Sequence, residues 1–289
     1  MLHLNDLKNA VLNFDKEFAL QRIISFIRNY FSRTKAKCAV LGISGGVDSS
    51  TTLAVTVRAL GPEKVKCVIM PHTEMTPQED INDAYELAES LGLRPIEITI
   101  DDIVTKVEER LNSAGIEVNR LTRGNLLARS RMILLYAIAN TFSGIVVGSS
   151  DKSELILGYY TKYGDGGVDI MPLGDLYKTR VRELAKFLGL PEKIALKPSS
   201  PRLWPGHKAV DELGADYDII DAILYALVDL RMPLREVLNI EGLDRELIKS
   251  ILVRIQNTEH KRRMPLIPKI FGGMTVGIDW RMPQLYEII

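Results

Sequence analysis

Hydrophobic and polar positions fall into two alternating patterns over the first two thirds of the chain. Short, predominantly apolar runs rich in β-branched residues occupy positions 38–43, 65–70, 96–100 and 145–148, interrupted by Lys66, Glu97 and Thr99. Such runs suit strands buried on both faces of a parallel sheet. Segments with helical spacing lie between and beside them, at 49–60, 78–91, 103–111 and 125–139. Strand–helix alternation of this kind predicts an α/β fold, a doubly wound parallel sheet with flanking helices. Ahead of it, residues 4–31 read as one helix, with Val11, Phe14, Phe18, Ile23, Phe26, Ile27 and Tyr30 on a wide apolar surface. That surface needs covering on more than one side, by the core or by a partner subunit. After Ser150 the periodicity breaks: 158–175 is rich in glycine and charge, and 197–215 in proline and glycine. Structureless stretches of that length are usually functional lids or disordered segments. Helices are predicted again over 216–230 and 244–263, and the tail 264–289 looks irregular. With no repeat, low-complexity tract or boundary, residues 1–289 read as a single domain.

Composition narrows the function classes. Residues 132–150 carry no charge and are almost long enough to span a bilayer. They also hold Asn140, Thr141, Ser143, Gly144 and Gly148, and change midway from helical to strand character, so no membrane partner is expected. Asp6, Lys8, Asp15, Lys16 and Glu17 are incompatible with a secretory signal. The 37 Lys+Arg balance 37 Asp+Glu, which excludes binding nucleic acid by blanket phosphate neutralisation. Two cysteines and four histidines make neither a disulfide framework nor a four-ligand zinc site. Cys38 and Cys67 sit in apolar runs as small hydrophobes, and a reducing cytoplasmic location is expected.

The strongest local signal is Leu41-Gly42-Ile43-Ser44-Gly45-Gly46-Val47-Asp48-Ser49-Ser50, between the first predicted strand and its helix. Adjacent glycines let consecutive N–H groups point into one concavity, and the helix start adds its positive end. The result suits a phosphate or pyrophosphate. Ser44 and Ser49 supply hydroxyls, and Asp48 can hold Mg²⁺ against phosphate oxygens. No G-x-x-x-x-G-K-[ST] occurs, which excludes a Walker-type loop. Gly42–Gly46 does match G-x-S-x-G, so a serine hydrolase using Ser44 with His207 or His260 as base is a rival. Its context is poor: only one strand precedes Ser44, and Asp48 and Ser49 would have no role.

The S-G-G-x-D-S pattern resembles the pyrophosphate loop of the N-type ATP pyrophosphatases, which activate a carbonyl oxygen as its adenylate. Three later segments narrow the resemblance: Asn125–Tyr136 with Arg129; Gly148-Ser-Ser-Asp-Lys-Ser-Glu154 followed by Thr161-Lys-Tyr-Gly-Asp-Gly-Gly-Val-Asp169; and Thr258-Glu-His-Lys-Arg-Arg263. Together they resemble the ammonia-dependent NAD synthetases, from about residue 24 to 263. The resemblance implies an adenine nucleotide alpha hydrolase-like fold and a carbon–nitrogen ligase of NAD biosynthesis. ATP would adenylate the carboxylate of deamido-NAD⁺ with release of pyrophosphate, and ammonia would then displace AMP. Carried over by position, Gly42, Ile43, Ser44, Gly45, Gly46, Val47, Asp48 and Ser49 form the ATP loop. Asp48 and Glu154 bind Mg²⁺, and Ser149, Lys178 and Ser200 match further ATP contacts. Asp48, Glu154 and Lys178 carry the chemistry. Arg129, Lys162, Asp169, His260 and Lys261 match the deamido-NAD⁺ site. The family's homodimer gives the helix at 4–31 a candidate role. Serines at 149 and 200 replace expected threonines, and 201–215 diverges, leaving its contacts unassigned. Nothing resembles a glutaminase, so ammonia is used free or delivered by a separate protein. Other members of the superfamily, with a different acceptor, are the alternative reading.

Overall fold

The computed structural model describes residues 2–204 and 206–276. The predicted helix at 4–31 is in fact two, α1 (Leu4–Leu12) and α2 (Lys16–Thr34). Asp15 divides them: its carboxylate accepts the Phe18 N–H as the N-cap of α2. Four strands follow, β1 (Ala39–Gly42), β2 (Val65–Ile69), β3 (Ile96–Glu97) and β4 (Ile145–Val146). Between them run α3 (Val47–Leu60), α4 (Gln78–Ser90), α5 (Asp101–Ser113) and α6 (Arg120–Phe142). Beyond β4 come α7 (Lys152–Leu157), α8 (Lys178–Phe187), α9 (Glu192–Ala195), α10 (Ala209–Leu213), α11 (Tyr217–Leu224), α12 (Leu234–Val237) and α13 (Arg245–Asn257).

All strand pairs are parallel, in the order β3-β2-β1-β4, with Ala39 opposite both Val65 and Ile145. Alternate strand residues enter different cores. Ala39, Leu41 and Cys67 pack with α2, α3, α4 and α8, whereas Cys38, Val40 and Val68 pack with α5 and α6. Helices on both faces explain why the strands read as mostly apolar runs, with Lys66 half-buried in β2 and Glu97 exposed in the edge strand β3. A third, helical cluster joins α1, α7, α11 and α13 through Leu7, Leu157, Ile220 and Ile248.

β3 is shorter than the expected 96–100. Ile98 and Ile100 donate to Ile69 and Pro71 carbonyls, but Pro71 has no N–H to return the bond. Just beyond β4, which is shorter than the expected 145–148, Val147 donates to Val40 and pairs on its other side with Ile170. The expected helix at 216–230 ends in a wider turn, Tyr225–Asp229, and that at 244–263 closes as a short 3₁₀ turn, Glu259–Lys261. The expected break after Ser150 is corrected by α7 and α8. In α8 Val181, Leu184 and Ala185 are buried, but charged neighbours mask that stripe in the sequence. Residues 264–275 form no helix or strand, and the rest of the expected tail (277–289) lies outside the described residues. No helix among the described residues is long and apolar enough to cross a membrane. Both cysteines are buried free thiols, and burial pushes the Cys67 thiol up to about 12.

Candidate active site

Strand order reverses at β1: β2 and β3 continue to one side and β4 returns to the other. Ligands of open α/β sheets bind beyond the C-terminal strand ends at such a switch point. The loop after β1 and the turn after β4 both open there.

The first loop is shaped by Gly45, at φ +72°, where a side chain would also collide with the Asp80 carbonyl oxygen. Only glycine satisfies both conditions cheaply. Gly46 is the N-cap of α3 and carries no side-chain cap bond among the described residues, leaving the helix start available to an anion. The Ser44 and Ser49 hydroxyls lie 3.0 Å apart, and Ser49 Oγ accepts the Ser44 N–H at 3.2 Å. Ser44 Oγ also accepts the Gly46 N–H at 3.4 Å. His207 instead meets Tyr159 and Glu212, so it is not placed as a base for Ser44.

The second turn places Glu154 by a reciprocal cap. Asp151 Oδ1 accepts the Glu154 N–H at 2.8 Å, and Glu154 Oε2 accepts the Asp151 N–H at 3.4 Å. Lys178, at the first residue of α8, is fully buried and gathers the acids. Its Nζ lies 2.6 Å from Asp48 Oδ2, 2.7 Å from Glu154 Oε1 and 3.0 Å from Asp151 Oδ2. Burial alone would push this ammonium down, but the three carboxylates outweigh it and hold its pKa well above the ordinary lysine value. Burial drives the Asp151 carboxyl well up, with Glu154 and Asp48 adding to the shift. Burial likewise pushes Glu154 up to about 7. Three acids facing one cation leave surplus negative charge. Asp48 and Glu154 retain partial exposure, 22% and 20%, and Asp48 Oδ1 has no hydrogen-bond partner among the described residues. Hard carboxylate oxygens in that state fit a divalent cation.

Two residues in this arrangement escape the sequence reading. Asp151 carries the D-x-x-E spacing of a capping box, a legible signal. Asp221, from α11, accepts Ser153 Oγ at 2.5 Å and the Thr179 N–H at 2.9 Å, while Ser153 Oγ accepts the Lys178 N–H. Burial lifts its carboxyl to about 6. Nothing in the apolar 217–224 segment marks that role.

The remaining expected residues are placed as follows. Ser149 follows β4 at the crevice, half-buried. Ser200 turns its hydroxyl onto the His207 carbonyl within the 197–215 segment. Arg129 donates to the Lys162 carbonyl and Lys162 Nζ to the His260 carbonyl, so these three line up. Lys261 Nζ donates to the Gly158 and Tyr160 carbonyls, and burial pushes its pKa down. Asp169 accepts the Val146 N–H at 2.7 Å and the Tyr136 hydroxyl at 3.2 Å beside β4.

A model of the NAD synthase family matches residues 19–265. The chain belongs to that family. The NH(3)-dependent NAD(+) synthetase of Hyperthermus butylicus is 50% identical over 260 residues, 90% of this chain and 93% of that one. Among solved structures, NMN synthetase from Francisella tularensis aligns with TM-score 0.77 at 30% identity, covering 89% of this chain and 99% of that one. The NH3-dependent NAD synthetase from Campylobacter jejuni aligns with TM-score 0.74 at 30% identity, covering 89% and 100%. Like other NAD synthases, the chain is an ATP-using ligase with a parallel sheet flanked by helices.

Proposed function

We propose that this chain amidates deamido-NAD⁺ (nicotinate adenine dinucleotide) to NAD⁺ with ammonia, at the expense of ATP. The observation that carries it is Lys178 held among Asp48, Asp151 and Glu154, beside an uncapped helix start at the sheet's switch point. A nicotinate carboxylate oxygen attacks the α-phosphorus of ATP, and the bond to the β-phosphate breaks to release pyrophosphate. Ammonia then adds to the acyl carbon, AMP departs, and the surplus proton passes to solvent. The loop N–H groups and Lys178 stabilise charge gathering on phosphate oxygens, and holding both substrates in one crevice supplies much of the rate. Asp48 and Glu154 would hold Mg²⁺, which when bound supplies further charge neutralisation on the phosphates. Arg129, Lys162, Asp169, His260 and Lys261 are the proposed dinucleotide contacts, and Ser149 and Ser200 further ATP contacts.

We also propose a homodimer, with residues 1–289 acting as one catalytic domain in the cytoplasm. α6 buries only Gly124, Leu127, Ala128, Ser130 and Ala139 and leaves Leu121, Ile133 and Phe142 exposed. Phe18 and Phe26 project similarly from α2. Incubation with ATP, Mg²⁺, ammonium and deamido-NAD⁺ should yield NAD⁺, AMP and pyrophosphate. Formation of ADP and phosphate would overturn the reading. A parallel arm with nicotinate mononucleotide separates a dinucleotide enzyme from one making NMN.

A further inference from the structure

The run Pro201-Arg-Leu-Trp204, which the reaction above does not use, makes contacts at both sides of the crevice. On the ATP-loop side, Arg202 grips Asp80 with two nitrogens, at 2.8 and 3.1 Å. On the other side, Leu203 lies against Gly124 of α6, where an added Cβ would approach it to 2.9 Å. Trp204 sits beneath the Arg120 guanidinium at 4.5 Å and stacks on His207 at 3.5 Å. The run is therefore a strap between the start of α4 and the start of α6. Arg202 is held at φ +52°, a left-handed conformation that its surroundings must enforce in a non-glycine residue.

Asp80 is the point at which strap and ATP loop meet. Its backbone abuts Gly45 closely enough to forbid a side chain there. Its buried carboxylate also receives Lys197 at 2.8 Å, and Lys197 reaches Asp83 at 2.5 Å and the Gly45 carbonyl at 3.2 Å. Asp80 and Asp83 are thus two buried acids immediately behind a loop that takes a polyanion. Left uncompensated in a poorly solvated position, they would repel triphosphate. Lys197 and Arg202, both from the 197–215 segment, cancel that charge together with Lys193, which pairs with Asp83 at 2.7 Å.

We propose that Asp80 is a positioning residue of the ATP site: it fixes Gly45 through its main chain and docks the strap through Lys197 and Arg202. Seating the strap and neutralising the ground behind the phosphate loop are then one event. The inference rests on the reading that Gly42–Ser49 binds ATP.

A mutant cycle on the full-length enzyme tests it, with Arg202→Met, Asp80→Asn and the double variant. Arg202→Met should raise the KM for ATP roughly tenfold through the exposed like charge. Its kcat and its KM for deamido-NAD⁺ should stay near wild type, and the double variant should recover most of the ATP affinity. A double variant as impaired as Arg202→Met overturns the proposal, because Arg202 would then contact ATP itself. Equal rises in both KM values with a lowered Tm also overturn it, in favour of a purely structural strap. The same variants titrated calorimetrically with α,β-methylene-ATP and Mg²⁺ give the ATP comparison without turnover, so failure of the amidation reading is seen separately. Wild-type protein that binds no nucleotide overturns both. Should Asp80→Asn fail to fold, Lys197→Met with Asp83→Asn repeats the cycle on the neighbouring pair.

Discussion

Lys178 is proposed as a ligand-binding cation, and its geometry makes it a structural one. It is fully buried, yet its ammonium touches three carboxylates, two of which reach solvent. Lys178→Met should cost about 3 kcal/mol, because it leaves buried acids unpaired. Asp151 and Glu154 already sit above their ordinary pKa values through burial, and losing the ammonium raises them further. A carboxyl raised in the folded state holds its proton more tightly folded than unfolded. The variant is therefore most stable below the unfolded carboxylate value near 4, and loses stability as pH rises towards and through 7. Urea midpoints at pH 5 and pH 8 should show a steeper decline for Lys178→Met than for wild type. Asp48→Asn should cut NAD⁺ formation at least ~100-fold with little change in Tm, since an amide is a poor ligand for a divalent cation while Lys178 keeps Asp151 and Glu154 as partners. The places of Asp48 and Glu154, each just beyond a strand, were readable from the sequence, but their junction was not. Lys178 is 130 positions from Asp48 and 24 from Glu154, and only packing makes them neighbours.

At the scale of elements, the loop after β1 depends on one glycine. Gly45→Ala should raise the KM for ATP and lower stability by about 1–3 kcal/mol, because the alanine meets both positive φ and the Asp80 carbonyl. Steady-state kinetics with thermal unfolding would register both effects. Asp15 tests a different device. Its removal as the α2 cap, in Asp15→Ala, should cost about 1 kcal/mol with both KM values unchanged. That aspartate also explains the misread helix: apolar spacing runs almost without interruption through 4–31, and the break is a capping choice rather than a change of period. α8 was missed for the opposite reason. Lys178, Arg180, Arg182, Glu183 and Lys186 crowd its sequence, yet Val181, Leu184 and Ala185 alone suffice to bury its inner face.

For the whole molecule, α6 makes the sharpest prediction. Its outward residues leave an apolar face beside Arg129, so dimerisation through it would set dinucleotide contacts at the subunit boundary. Ile133→Glu should shift the enzyme to monomer in sedimentation velocity and raise the KM for deamido-NAD⁺. A dimer unaffected by Ile133→Glu, but broken by Phe26→Glu, would move the interface to α2. The sheet itself was legible in the chain. Strands covered on both faces must be largely apolar, and glycine, carboxylate and helix start occur in order within ten residues. Local rules decide such features, because every group involved lies within a turn or a strand of the next. Which acids share Lys178, where Asp169 ends up, and how the 201–204 run straps α4 to α6 are decided otherwise. Those contacts join distant segments, and their partners are chosen by burial and charge only once the sheet has brought them together.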